Sequence, residues 1–231
     1  QTALGITWIF LRPIINMFVL TLVFGQLVKV SSDDFPYPLF SLSALIPWGY
    51  FSTSVIRASR SLVDNLHIVS KVYFPRMILP LTGVVAGLVD FVASFLIFLV
   101  ALLFYHYPLR WEMLWIPLLL LITIAFALAF GLWLATLSVR YRDVSFAINF
   151  ILQAMMYASP VIYSLSVVPQ PLRVFYQLNP MSGVIQGFRW ALLGGDAPGG
   201  ALLISTGIIL IMLISGMYVF RRTERGIIDL L

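Results

Sequence analysis

The stretch Ser61 to Pro80, SLVDNLHIVSKVYFPRMILP, is a short amphipathic insert between two apolar segments that are each long enough to cross a bilayer. Leu62, Leu66, Val69 and Tyr73 recur at offsets 0, 4, 7 and 11. That is the one-sided stripe of a helix, and Asp64, His67 and Lys71 fall away from it. Pro75 then ends the element. A plain loop between two spans needs only a few polar residues, so a structured insert offers a surface. Two readings stay open: a docking surface for a cytoplasmic partner, or a helix resting on lipid headgroups.

Working outward, the flanks set the class. With 61% hydrophobic and 10% charged residues and a mean hydropathy of +1.01, the chain reads as an all-α integral membrane protein. The formal net charge of +5 comes from Lys and Arg scattered in short loops, a topology signal rather than a nucleic-acid stripe. There is no cysteine, which excludes disulfides and thiolate chemistry. The chain opens at Gln1 beside an apolar run with no basic region before it, so the expectation is a sequence lacking its natural N-terminus and not a signal peptide.

Six runs reach the roughly 20 residues a span requires: about 4–28, 38–60, 78–104, 113–138, 145–164 and 200–220. They form a single domain over 1–231 with no internal repeat in their Pro or Gly spacing, which counts against inverted-repeat secondary transporters. The even-numbered connections and the C-terminus, with Arg57 and Arg60 at their edge, hold nine Lys and Arg; the odd-numbered connections hold four. Positive charge stays inside, so both ends are expected in the cytoplasm and the 165–199 segment outside. That segment is too apolar for a solvated loop. It is also too broken by Pro169, Pro171, Pro180 and Gly194-Gly195 to span. It reads as one or two short helices dipping into the outer leaflet, where irregular backbone must line a pathway or be buried by protein. The plainer alternative is an aromatic interface anchor through Tyr163, Phe175, Tyr176, Phe188 and Trp190.

Two charges lie inside spans, Arg12 and Asp90, and each costs about 2.5–3.5 kcal/mol on the insertion scale. Counted from the cytoplasmic side, their depths differ by roughly 6 Å at about 1.5 Å per residue. A mutual pair is therefore expected, or a carboxyl bonded to Ser94, Asn16 or Gln153. Gly83-x-x-x-Gly87 and Ala125-x-x-x-Ala129 are weak close-packing signals. Neither Lys29 nor Lys71 sits in a Gly-Lys-Ser/Thr sequence, and no HExxH, GxSxG or paired carboxylates occur, so the chain has no visible ATP site or hydrolytic constellation. It reads as a conduit and not an enzyme. Trp8, Trp48, Tyr50, Phe51, Phe146, Phe150, Tyr157 and Trp190 supply faces able to stack on sugar rings, or to pack in the core.

The stretches QTALGITWIFLRPI (1–14), PWGYFSTSVIRASRSLV (47–63), KVYFPRMILPL (71–81), VRYRDV (139–144), ASPVIY (158–163) and LNPMSGVIQGFRW (178–190) resemble, in order, the membrane subunits of ABC-2 type exporters of lipid-linked polysaccharides such as O-antigen, capsule and teichoic acid. Such subunits usually open with an amphipathic cytoplasmic helix before the QTALG-like start, and the expectation is that this helix is missing from the sequence as given, which bears on docking. The resemblance implies six transmembrane helices, a cytoplasmic coupling helix at about 61–75 and external re-entrant gate helices at about 165–195. It implies that Asp64, Asn65, Leu66, Val69, Lys71, Phe74 and Pro75 meet an ATPase subunit. The gate would use Pro160, Tyr163, Asn179, Pro180, Arg189 and Trp190, and Arg140, Tyr141, Arg142 and Asp143 form a cytoplasmic loop motif. Two copies of the chain would pair with two separate ATP-binding subunits in a bacterial inner membrane. ATP and Mg2+ would be held by those subunits, with no cofactor on this chain, and Trp48, Tyr50, Phe51, Phe150 and Tyr157 would line the lumen. The competing readings are a permease of this type for a drug, lipid or haem, and an ion-coupled transporter working through Asp90.

Overall fold

The computed structural model describes residues 7–65, 67, 74–141 and 143–224. Among them the chain is helical and has no strands. Helix α1 (Thr7–Leu20) runs on through a π-helical stretch, Thr21–Leu27; α2 is Tyr37–Asp64; α3 (Ile78–Ala86) and α4 (Leu88–Phe104) are one rod jointed at Gly87. A 3-10 turn, Trp111–Trp115, leads into α5 (Ile116–Arg140), followed by α6 (Val144–Tyr157). A further 3-10 turn, Leu165–Val167, precedes the short helices α7 (Gln170–Leu178) and α8 (Pro180–Leu193), and α9 is Gly199–Glu224.

Five of these rods, of 21 to 30 residues, are long and apolar enough to cross a membrane. The sixth expected span, 145–164, is shorter. Its helix stops at Tyr157 after 14 residues, about 21 Å at 1.5 Å per residue, short of a roughly 30 Å hydrocarbon core. Pro160 is the physical reason. It has no amide to donate and disfavours helical geometry at Ser159, so the chain tightens (Ser159 N–H to Met156 O, 3.3 Å) and turns away.

Helix α2 is the centre of the molecule, buried at nearly every position from Leu39 to Trp48. A helix so enclosed must satisfy its own polar side chains. Ser41, Ser43, Ser59 and Ser61 do so by donating to the carbonyls of Pro38, Phe40, Ile56 and Ala58, at 2.7–3.0 Å. Small residues then let its neighbours close in. A Cβ on Gly83 would lie 2.9 Å from Ala58 N, one on Gly87 2.2 Å from Ser54 Oγ, and one on Gly131 of α5 2.7 Å from Ala58 Cβ. The Gly83-x-x-x-Gly87 pair is thus the seam between α3 and α2, where Tyr50 Oη also donates to Val84 O at 3.2 Å. Ala129 faces Gly216 of α9, whose added Cβ would approach the Ala129 carbonyl to 3.2 Å.

The two ends of the bundle differ. At one, Leu62 of α2 is buried with Leu132 and Ala135 of α5 and Phe220 of α9, Arg60 donates to Ser145 O (3.2 Å), and Arg76 donates to Glu224 O. The connections read as cytoplasmic meet here. At the other end lie the 29–36 and 105–110 connections, the 158–169 turn, α7 and α8.

Candidate gate and coupling surfaces

The segment Ala158 to Ser164 is irregular backbone, buried from Ser159 to Ile162 and at Ser164, so its polar groups need partners. Side chains supply several of them. Asn179 Nδ2 donates to Ala158 O (3.2 Å) and Ser159 Oγ (2.9 Å), Arg189 Nη2 to Val161 O (3.1 Å) and Nη1 to Tyr163 O (3.3 Å), and Tyr37 Oη to Ile162 O (2.8 Å). The Arg189 guanidinium lies 3.7 Å over the Phe40 ring, a cation–π contact desolvated by its surroundings. Burial draws its pKa down to about 9, with Asp33 and Tyr37 opposing, so it remains a cation at neutral pH.

One of these residues, Asn179, also starts α8. Asn179 caps α8, its Oδ1 accepting from Met181 N–H at 3.1 Å, and Pro180 occupies the first turn, where no amide is missed. At the far end Gly194 adopts φ 79° and closes the helix onto Trp190 O at 3.0 Å, a conformation that favours glycine. Tyr163 Oη donates to Tyr157 O (2.8 Å) and meets Tyr176 Oη of α7 at 2.7 Å. Burial, reinforced by Tyr176, raises the Tyr163 pKa. Pro160 is buried in the turn, and Trp190 packs against Trp115 with ring centroids 6.2 Å apart. All six expected gate residues, Pro160, Tyr163, Asn179, Pro180, Arg189 and Trp190, belong to α8 or to the turn it holds. Sequence reasoning missed Tyr37, Phe40 and Asp33, which accepts from Ser164 Oγ and Ser166 Oγ. The available signal was the Asp33-Asp34-x-Pro36-Tyr37 turn, polar and then abruptly apolar, at the mouth of α2.

At the opposite end, Asp64 is the last residue of α2 and Asn65 caps it, donating from Nδ2 to Ser61 O at 2.8 Å. Phe74 is half-buried and Pro75 exposed, while Leu66, Val69, Lys71 and Tyr73 lie outside the described residues. Leu62 is a correction to the expected stripe: as part of the core of α2 it is 1% exposed and offers nothing to a partner. Arg140 ends α5 with its guanidinium 5.6 Å from the Tyr141 ring. Asp143 is exposed before α6, and Arg142 is outside the described residues.

Two further expectations are corrected. Asp90 pairs with Arg57, Oδ2 to Nη2 at 2.9 Å, and not with Arg12, because Gly83 and Gly87 press the α3–α4 rod against α2 and bring Arg57 nearest. Ser94 Oγ donates to the Asp90 main-chain carbonyl at 2.8 Å, not to its carboxylate. Arg12 instead faces a cavity of about 390 Å3 between α1 and α2, shared with Asn16, Trp48, Ser52, Thr53 and Asp90. Of the lumen aromatics, Tyr50 and Phe51 are core residues, 1% and 0% exposed, held by Phe91 (6.0 Å, edge-on) and Phe126 (4.4 Å, stacked). Trp48 reaches the Arg12 cavity, whereas Phe150 and Tyr157 stand on the surface of α6.

Comparison with known proteins places these features in context. Residues 1–193 match the model of the ABC-2 type transporter family. The O-antigen export system permease protein RfbA of Myxococcus xanthus is 30% identical, covering 96% of this chain and 86% of that protein. The O-antigen export system permease protein RfbA of Klebsiella pneumoniae is 24% identical, covering 100% and 89%. The polysialic acid transport protein KpsM of Escherichia coli is 21% identical, covering 97% and 88%.

Proposed function

The chain belongs to the ABC-2 type transporter family, and from that premise we propose that it is the permease subunit of an ATP-driven exporter moving a lipid-linked polysaccharide across a bacterial inner membrane. The observation that carries the glycan reading is end-to-end similarity to permeases named for O-antigen export. Two copies enclose the path, both termini face the cytoplasm, and two separate ATP-binding subunits hold ATP and Mg2+ and perform the hydrolysis.

The mechanism follows from α2. Its last residue, Asp64, leads directly into the 61–75 insert, and its first turns carry Tyr37 and Phe40 against the gate turn. Twenty-eight residues make a rod about 42 Å long at 1.5 Å per residue. Closure of the ATP-binding subunits displaces the insert; the rod carries the displacement to the Arg189–Phe40 and Tyr37–Ile162 contacts, and α8 swings. Trp48, Phe150 and Tyr157 then offer ring faces to a passing glycan, which needs contact without tight binding. Tyr50 and Phe51 keep the rod packed.

The test is reconstitution with the ATP-binding subunit, comparing wild type with Val69→Asp. Loss of coupled ATPase and of export in a protein that still inserts supports the reading. Unchanged behaviour with no co-purifying ATPase overturns it.

A further inference from the structure

At the gate end, the turns at 33–35 and 164–166, helices α7 and α8 and the loop at 195–196 enclose a cavity of about 370 Å3, at the small end of the range for ligand sites. Asp33, Ser164, Ser166 and Arg189, which make the gate contacts, form one side of it. Asp33 and Asp196 face it together with Arg173 and Arg189, so its formal charge balances. Arg189, 8% exposed, spends two nitrogens on carbonyls, and its Nε is buried without a partner. Gln177, Gln186 and Asp196 also line the space and show no side-chain hydrogen bond among the described residues. Phe35 adds an apolar wall, fixed edge-on to Tyr107 at 6.3 Å.

Unspent amides, a carboxylate and an aromatic wall together select a ligand class. An anion meets two carboxylates and a cation meets two guanidiniums. A neutral polyol offers donors and acceptors on adjacent carbons and a C–H face for the ring. We propose that this cavity is a neutral-sugar subsite at the gate end, holding one or two residues of the exported glycan. The proposal rests on the glycan-export reading above and adds a place where the chain is held while the gate moves.

Gln186→Ala and Asp196→Asn test it, because Gln186 is half-buried, Asp196 is exposed, and neither side chain is bonded within the described fold. The permease with its ATP-binding subunit in nanodiscs is titrated with glucose, galactose, mannose, rhamnose and N-acetylglucosamine, read by saturation-transfer NMR. At least one sugar is expected to bind, each variant weakening it by about three- to tenfold, the loss of one hydrogen bond, and inorganic phosphate should not displace it. No sugar bound, equal affinity in both variants, or displacement by phosphate overturns the subsite. Surface glycan in cells lacking the permease separates the two levels. Glycan lost without sugar binding removes only the subsite, whereas glycan retained removes the export reading beneath it.

Discussion

Arg189 does three jobs at once: it donates to two carbonyls of an irregular turn and covers an aromatic ring. Lysine is no substitute, because a point charge cannot make the planar fork or lie flat on Phe40. Arg189→Lys is expected to lower stability by about 2–4 kcal/mol, the scale of two charge-assisted hydrogen bonds, and to make liposomes carrying the protein leak to small sugars. An unchanged melting curve together with tight liposomes contradicts this. The intramembrane pair is a second residue-scale case. Asp90→Asn should cost about 1 kcal/mol, since both partners are partly exposed, and Arg57→Gln on that background should add little. Arg12→Gln should leave the melting temperature alone, a result that mutual pairing of Arg12 and Asp90 could not give. The choice of Arg57 was not legible in the sequence: depth along a span places charges within reach, but the glycines at a helix seam decide which of them touch.

Among the elements, what hydropathy and punctuation measure was legible and what packing decides was not. Five of the six spans read from length and composition are present, as is the broken segment before the last of them, whose Pro and Gly residues do bound α7 and α8. The sixth span read too long because Ala158 to Tyr163 is apolar, and hydropathy does not register that Pro160 lacks a donor. The lumen aromatics divided for a related reason. Helix α2 is buried nearly all round, so the face of it that bears Tyr50 and Phe51 has no open side, whereas α6 is short, peripheral and exposes Phe150. The seam itself is testable. Gly87→Val should destabilise the bundle by about 1–3 kcal/mol through overpacking against Ser54. Gly207→Val, with nothing within 4 Å of its added Cβ, should be nearly silent in the same denaturation assay.

On the scale of the whole molecule, the residues that meet at the ends of one buried rod make the permease reading mechanical. The insert leaves the C-terminal end of α2 and the gate turn leans on its N-terminal turns, with Pro47 inside the helix between them. The sequence has no cysteine, so a pair introduced at Ser159 and Asn179, whose side chains meet at 2.9 Å, has no competing thiol among these 231 residues. The decisive measurement is ATP-driven glycan translocation into vesicles by the reconstituted complex carrying Ser159→Cys and Asn179→Cys, oxidised and then reduced. The account predicts that the oxidised pair stops translocation while ATP hydrolysis continues, and that reduction restores transport. Translocation at an undiminished rate through the cross-linked protein would contradict a gate that works by moving α8 away from the 158–164 turn.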